Sequence, residues 1–89
     1  MPKGVQQDVM DATVRRIKGL CRQRKWTNHK LSTEAGISAP TIHDIMNKKQ
    51  QNISLRSLKS ICDAFGISMT EFFDTAYFRN LPIDADDEE

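Results

Sequence analysis

The stretch that most restricts the fold runs from Thr27 to Asn47, Thr-Asn-His-Lys-Leu-Ser-Thr-Glu-Ala-Gly-Ile-Ser-Ala-Pro-Thr-Ile-His-Asp-Ile-Met-Asn. Thr27 can cap a helix over residues 28–35, in which Leu31 and Ala35 share a face. Gly36 falls where that helix must stop and turn, because glycine takes the left-handed conformation without a side-chain penalty. Ile37 fills the inside of the turn, and Ser38 caps a second helix over residues 39–46 with Ile42, Ile45 and Met46 facing inward. Pro40 would break a helix interior, but in the first turn its missing N–H has no intrahelical partner to lose. Such a pair folds only if its interior stays small or apolar. Leu31, Ala35, Ile37, Ile42 and Ile45 meet that demand, and Ser32 is small enough to let the helices approach.

Helical spacing continues on both sides. A first helix is expected to start between Val5 and Asp8 and run to Lys25, with Val14, Ile17, Leu20 and Cys21 on one face. Arg15, Arg16, Arg22 and Arg24 are read as lying off that stripe, and Trp26 as an anchor for the turn that follows. Residues 47–53 form a polar loop. Ser54 caps a helix over residues 55–65 whose apolar row is Leu55, Leu58, Ile61, Cys62 and Phe65, and Gly66 ends it. Ser68-Met-Thr-Glu71 is a capping box that opens a short fifth helix, with Phe72 and Phe73 assigned to the core. Beyond Thr75 the pattern weakens. Tyr77, Phe78, Leu81 and Ile83 exceed what five helices need, so they either make a dimer contact or dock back onto the body. No stretch alternates long enough for a paired strand. The expected fold is all-α, a compact five-helix domain over residues 1–75 followed by an aromatic and then acidic tail over 76–89.

Composition narrows the class further. A chain of 89 residues with 38% apolar and 28% charged residues suits one globular domain. It holds no apolar run near the ~20 residues that span a bilayer. Met1-Pro2-Lys3-Gly4 followed by polar residues is not a signal peptide, so a cytoplasmic protein without a membrane partner is expected. Cys21 and Cys62 sit in apolar helical patterns and read as small buried hydrophobes rather than a disulfide. With His29 and His43 they match no short metal-ligand spacing, so no metal and no cofactor is expected. No residue set combines a nucleophile, a base and an orienting third group, which argues against an enzyme. Charge is unevenly divided: residues 1–60 carry twelve Lys and Arg against four acids, a net +8, whereas residues 61–89 carry Arg79 against eight acids, a net −7. A basic body joined to an acidic tail is a common plan for polyanion binders.

The segment from Asn28 to Asn47, together with the later Ser54-to-Phe73 stretch ending Ile-Cys-Asp-Ala-Phe-Gly-Ile-Ser-Met-Thr-Glu-Phe-Phe, resembles the lambda-repressor-like (Cro/repressor, or Xre) family of helix-turn-helix proteins. The resemblance covers about Val14 to Asp74. It implies double-stranded DNA as partner, a homodimer and a role as transcriptional regulator or repressor, with the third helix entering the major groove. Thr27 and Asn28 match positions that hold a phosphate at a helix N-terminus; Ser38, Ala39, Pro40, Thr41 and Asp44 match the exposed edge of the recognition helix; and Asn47, Lys48 and Lys49 match the loop that grips the backbone. His43 can donate to a phosphate or a base edge, and Lys30, Lys48, Lys49 and Arg56 are the expected phosphate cations. Asp44 repels phosphate and can read only a cytosine amino group. Two departures stand out. The family frequently pairs a buried Arg with a Glu where this chain has Cys21 and Met46, and it often has Gly where this chain has Lys48. The alternative reading is a protein-interaction module, or an antitoxin whose C-terminal aromatic segment binds a protein partner.

Overall fold

A computed structural model of the chain describes residues 9–49 and 52–83. Among them the chain is helical throughout: α1 (Val9–Arg24), α2 (Asn28–Ala35), α3 (Ala39–Met46), α4 (Leu55–Phe65), α5 (Met69–Phe73) and α6 (Ala76–Arg79). The bounds of α2, α3 and α4 agree with the spacing and cap signals. The expected start of α1 and the acidic residues 84–89 lie outside the described residues. The short α6 is an addition to the five helices expected.

One three-residue link recurs along the chain. After α1, α2 and α4 comes a residue at positive φ (Lys25 at 61°, Gly36 at 69°, Gly66 at 73°), then an apolar residue (Trp26, Ile37, Ile67), then a hydroxyl N-cap (Thr27, Ser38, Ser68). In each, the apolar residue's N–H donates five residues back, from Trp26 to the Cys21 carbonyl, Ile37 to Ser32 and Ile67 to Cys62. This is the Schellman closure, which satisfies carbonyls the helix leaves orphaned. Its apolar member plugs into the core, and Trp26, Ile37 and Ile67 all pack against the buried cluster. α3 closes by the same bonds, Lys48 N–H to Ile45 and Lys49 N–H to Asp44, with Lys48 at φ 56°. That is the position at which the family pattern favours glycine.

The core draws on every helix but α6. Val14, Ile17, Leu20 and Cys21 of α1 meet Leu31 of α2, Ile42, Ile45 and Met46 of α3, Leu58, Ile61, Cys62 and Phe65 of α4, and Phe72 of α5. Each large side chain so buried contributes about 1.5–3 kcal/mol relative to exposure. Cys21 and Met46, in place of a charged pair, are both buried, and the thiols of Cys21 and Cys62 are free. Burial pushes both thiols up from their ordinary pKa, with neighbouring Asp63 adding to the effect at Cys62. Trp26 stacks on Phe65 with centroids 5.0 Å apart, the turn anchor expected of it.

Two core assignments need correction. Leu55, at the start of the α4 row, is 74% exposed: it lies with Val9 and Phe73 at the rim of an apolar hollow that no other part of the described chain fills. Phe73 is also exposed, its ring edge-on to Phe78 at 4.8 Å; a five-residue helix buries one side, and Phe72 takes it. The aromatic excess divides in the same way. Phe78 docks back against the core as α6 packs on α1, whereas Tyr77 and Ile83 stay exposed.

Candidate nucleic-acid interface

The turn between α2 and α3 presents α3 at the surface. Ser38, Ala39, Pro40 and His43 are exposed and Thr41 and Asp44 half-buried, while Ile42, Ile45 and Met46 anchor the opposite side. The Ser38 cap accepts from the Thr41 N–H at 3.3 Å, and its hydroxyl donates to Thr41 Oγ1 at 2.8 Å. Thr41 is thereby fixed with its own hydroxyl proton and methyl group left for a partner. Pro40 lies in the first turn, where its missing N–H leaves no bond broken.

At the start of α2, Thr27 Oγ1 accepts from the Lys30 N–H at 3.0 Å. The N–H groups of Asn28 and His29 have no acceptor within the helix and point out of its positive end, a ready anion seat. Ser32 is buried, and its hydroxyl donates to the His29 carbonyl at 2.7 Å, so its small size serves the close packing of α2. After α3, the Asn47 side-chain amide donates to the His43 carbonyl at 2.8 Å and lies 3.3 Å from His43 Nδ1.

A family model for the Cro/C1-type HTH DNA-binding domain matches residues 16–76. The chain belongs to that family. Searches of curated proteins and of solved structures found no match. Membership makes this a DNA-binding chain and points to transcription regulation. No helix among the described residues is long and apolar enough to cross a membrane.

In this Cro/C1-type domain the expected site residues fall on three connected elements: the start of α2 (Thr27, Asn28, Lys30), the outer edge of α3 (Ser38, Ala39, Pro40, Thr41, His43, Asp44) and the loop after it (Asn47, Lys48, Lys49). Their charges are partly engaged already. Lys30 pairs with Glu34 at 3.1 Å one turn along α2, and Lys48 pairs with Asp11 of α1 at 2.7 Å. Both pairs are exposed enough to be worth well under 1 kcal/mol, so a phosphate can displace either carboxylate. Lys49 is exposed with no ion pair among the described residues.

The basic body is not one free footprint. Arg16 donates to the carbonyls of Phe72 (2.8 Å) and Glu71 (3.0 Å), and Arg24 donates to the carbonyl of Phe65. Each clamps the negative end of a helix, α5 and α4 respectively. Arg24 also lies 5.5 Å from the Phe65 ring centroid and 5.8 Å from that of Trp26. Reading all four arginines of α1 as lying off the apolar stripe missed these roles. The signal was present for Arg24, which follows Ile17 and Leu20 at i+7 and i+4 and so continues the apolar row. A long side chain there lays its stem along the core and carries its head to a polar partner. Lys59 is likewise paired, with Asp63.

Proposed function

We propose that the domain acts as a transcriptional repressor, binding duplex DNA as a homodimer with α3 in the major groove. The observation that carries this is the exposed edge of α3, from Ser38 to Asp44, flanked by the outward N–H groups of α2 on one side and by Lys48 and Lys49 on the other. Phosphates are held at Asn28, Lys30, Lys48 and Lys49, with Thr27 fixing the helix end that meets one of them. Base edges meet Ala39 and Pro40 through apolar contact, and Thr41 and His43 through hydrogen bonds. With no Arg, Lys or Gln on α3, direct readout is modest and affinity rests on the phosphates.

A second copy has a surface to use. Val9, Leu55 and Phe73 are exposed together around an apolar hollow of about 180 Å³ that Ile53 and Leu58 also line. A two-fold pair would place its recognition helices about 34 Å apart, one turn of the duplex. The test is selection of bound fragments from a genomic pool, followed by sedimentation of the protein with and without the selected site. Enrichment of a palindrome and a protein-to-DNA ratio of two to one are expected. No shift of any duplex at low salt, from a chain whose helical signal is intact, would end this reading. It would favour the interaction module suggested by Asp44 and the apolar hollow.

A further inference from the structure

The largest set of cations that neither the core nor the α2–α3 unit uses lies on the outer side of α1. Arg15, Lys18 and Arg22 are all exposed, and their spacing of three and then four residues places them within about 60° of one another around the helix. From Arg15 to Arg22 the row is about 10 Å long. Lys25, exposed in the link directly after α1, prolongs it. Arg16 and Arg24 stand apart from this row, committed to the carbonyl ends of α5 and α4. Arg15 lies 5.7 Å from the Tyr77 ring, which holds one end of the row beside α6.

What gives the row meaning is where its ends lie. One turn before Arg15 on the same side is Asp11, whose carboxylate takes the Lys48 ammonium at 2.7 Å, so this end abuts the loop after α3. At the other end, Lys25 leads through Trp26 directly into Thr27, the N-cap of α2. The row therefore runs between the two elements assigned to phosphates, and it repeats their charge without their base-reading groups.

We infer that the outer side of α1, at Lys18 and Arg22 above all, is a further phosphate-binding surface that extends the contact with duplex DNA beyond the groove entered by α3. This rests on the DNA-binding reading above. Its chemistry is sequence-independent: a duplex carries about one negative charge per 1.7 Å of axis, and exposed ammonium and guanidinium groups release counterions on meeting it. The surface lengthens the footprint and adds salt dependence, and it leaves the choice of bases to α3.

The experiment compares the wild-type chain with the double variant Lys18→Ala/Arg22→Ala, measuring duplex affinity by fluorescence anisotropy across a salt series. Alanine is a good helix former, so both exposed positions tolerate it, and a circular dichroism melt verifies the fold. Each lost phosphate contact lowers the slope of log affinity against log salt by about 0.9, so the double variant is expected to lose about two. Lys59→Ala serves as the control, because that ammonium sits on Asp63 and its loss changes net charge without touching the row. Wild-type binding with an unchanged slope in the double variant overturns the inference and leaves the α3 reading standing. A drop in melting temperature with an unchanged slope overturns it too, assigning the row to a contact within the chain, the acidic residues 84–89 being the complementary charge. Failure of the wild type to bind any duplex removes both.

Discussion

Replacing Lys25 with glycine should stabilise the domain. Lys25 closes α1 at φ 61°, where a side chain crowds the following carbonyl at a cost of about 1–2 kcal/mol. Glycine removes that cost and returns about 0.5–1 kcal/mol of it as greater freedom in the unfolded chain. The net gain is about 0.5–1 kcal/mol, or roughly 2–8 °C in melting temperature for a domain of this size. Lys48→Gly has the same backbone argument at φ 56° but forfeits the Lys48–Asp11 pair, so its gain is smaller by up to about 0.5 kcal/mol. The converse substitutions supply the control. Gly36 and Gly66 hold the equivalent positions at 69° and 73°, and a Cβ added to either meets no atom within 4 Å. Gly36→Ala and Gly66→Ala therefore add backbone strain without a clash, and by the same two contributions should cost about 0.5–1 kcal/mol each. Urea denaturation followed by circular dichroism, with Trp26 fluorescence as a second probe, measures all four. If Lys25→Gly is neutral or destabilising while Lys25→Ala is not, the four links do not share one physics and the argument fails.

Three further outcomes follow from the same geometry. Arg16→Ala and Arg24→Ala each remove a charged donor from a helix end and should cost about 1.5–3 kcal/mol in urea denaturation while leaving the salt slope of DNA binding unchanged; a slope lower by one with stability intact would move that arginine to the DNA. Both thiols are held protonated by burial, so the unfolded chain loses those protons first, and their contribution to stability should be full below the ordinary thiol pKa of about 8.5 and be lost as pH rises above it. A double Cys21→Ala/Cys62→Ala variant, less stable throughout, should show a flatter decline, and parallel profiles would refute the assignment. Asp44→Asn removes the acid from the exposed edge of α3 and should strengthen binding to random duplex several-fold; unchanged affinity would place α3 away from the phosphates.

Local signals along the chain suffice for the punctuation of this fold. Thr27, Ser38, Ser54 and Ser68 announce helix starts, Gly36 and Gly66 announce stops, and the apolar periodicity between them leaves one reading, because caps and glycine conformations act within a few residues of chain. The exposed edge of α3 was legible for the same reason: what is not in the apolar row of an eight-residue helix faces outward. Tertiary structure decided what each basic residue does. Arg16 and Arg22 look alike in sequence, yet one meets the carbonyl end of α5 and the other meets solvent, and only the docking of helices about 55 residues apart separates them. It also decided that Leu55 and Phe73 remain outside, since periodicity marks a face as apolar without saying whether anything covers it. Lys25 and Lys48 show the same division from the other side. The local sequence argues against a left-handed residue at either position, and the packing of Trp26 against Phe65 and of α3 against α1 holds them there, because the burial gained by closing the link exceeds the strain of one backbone angle.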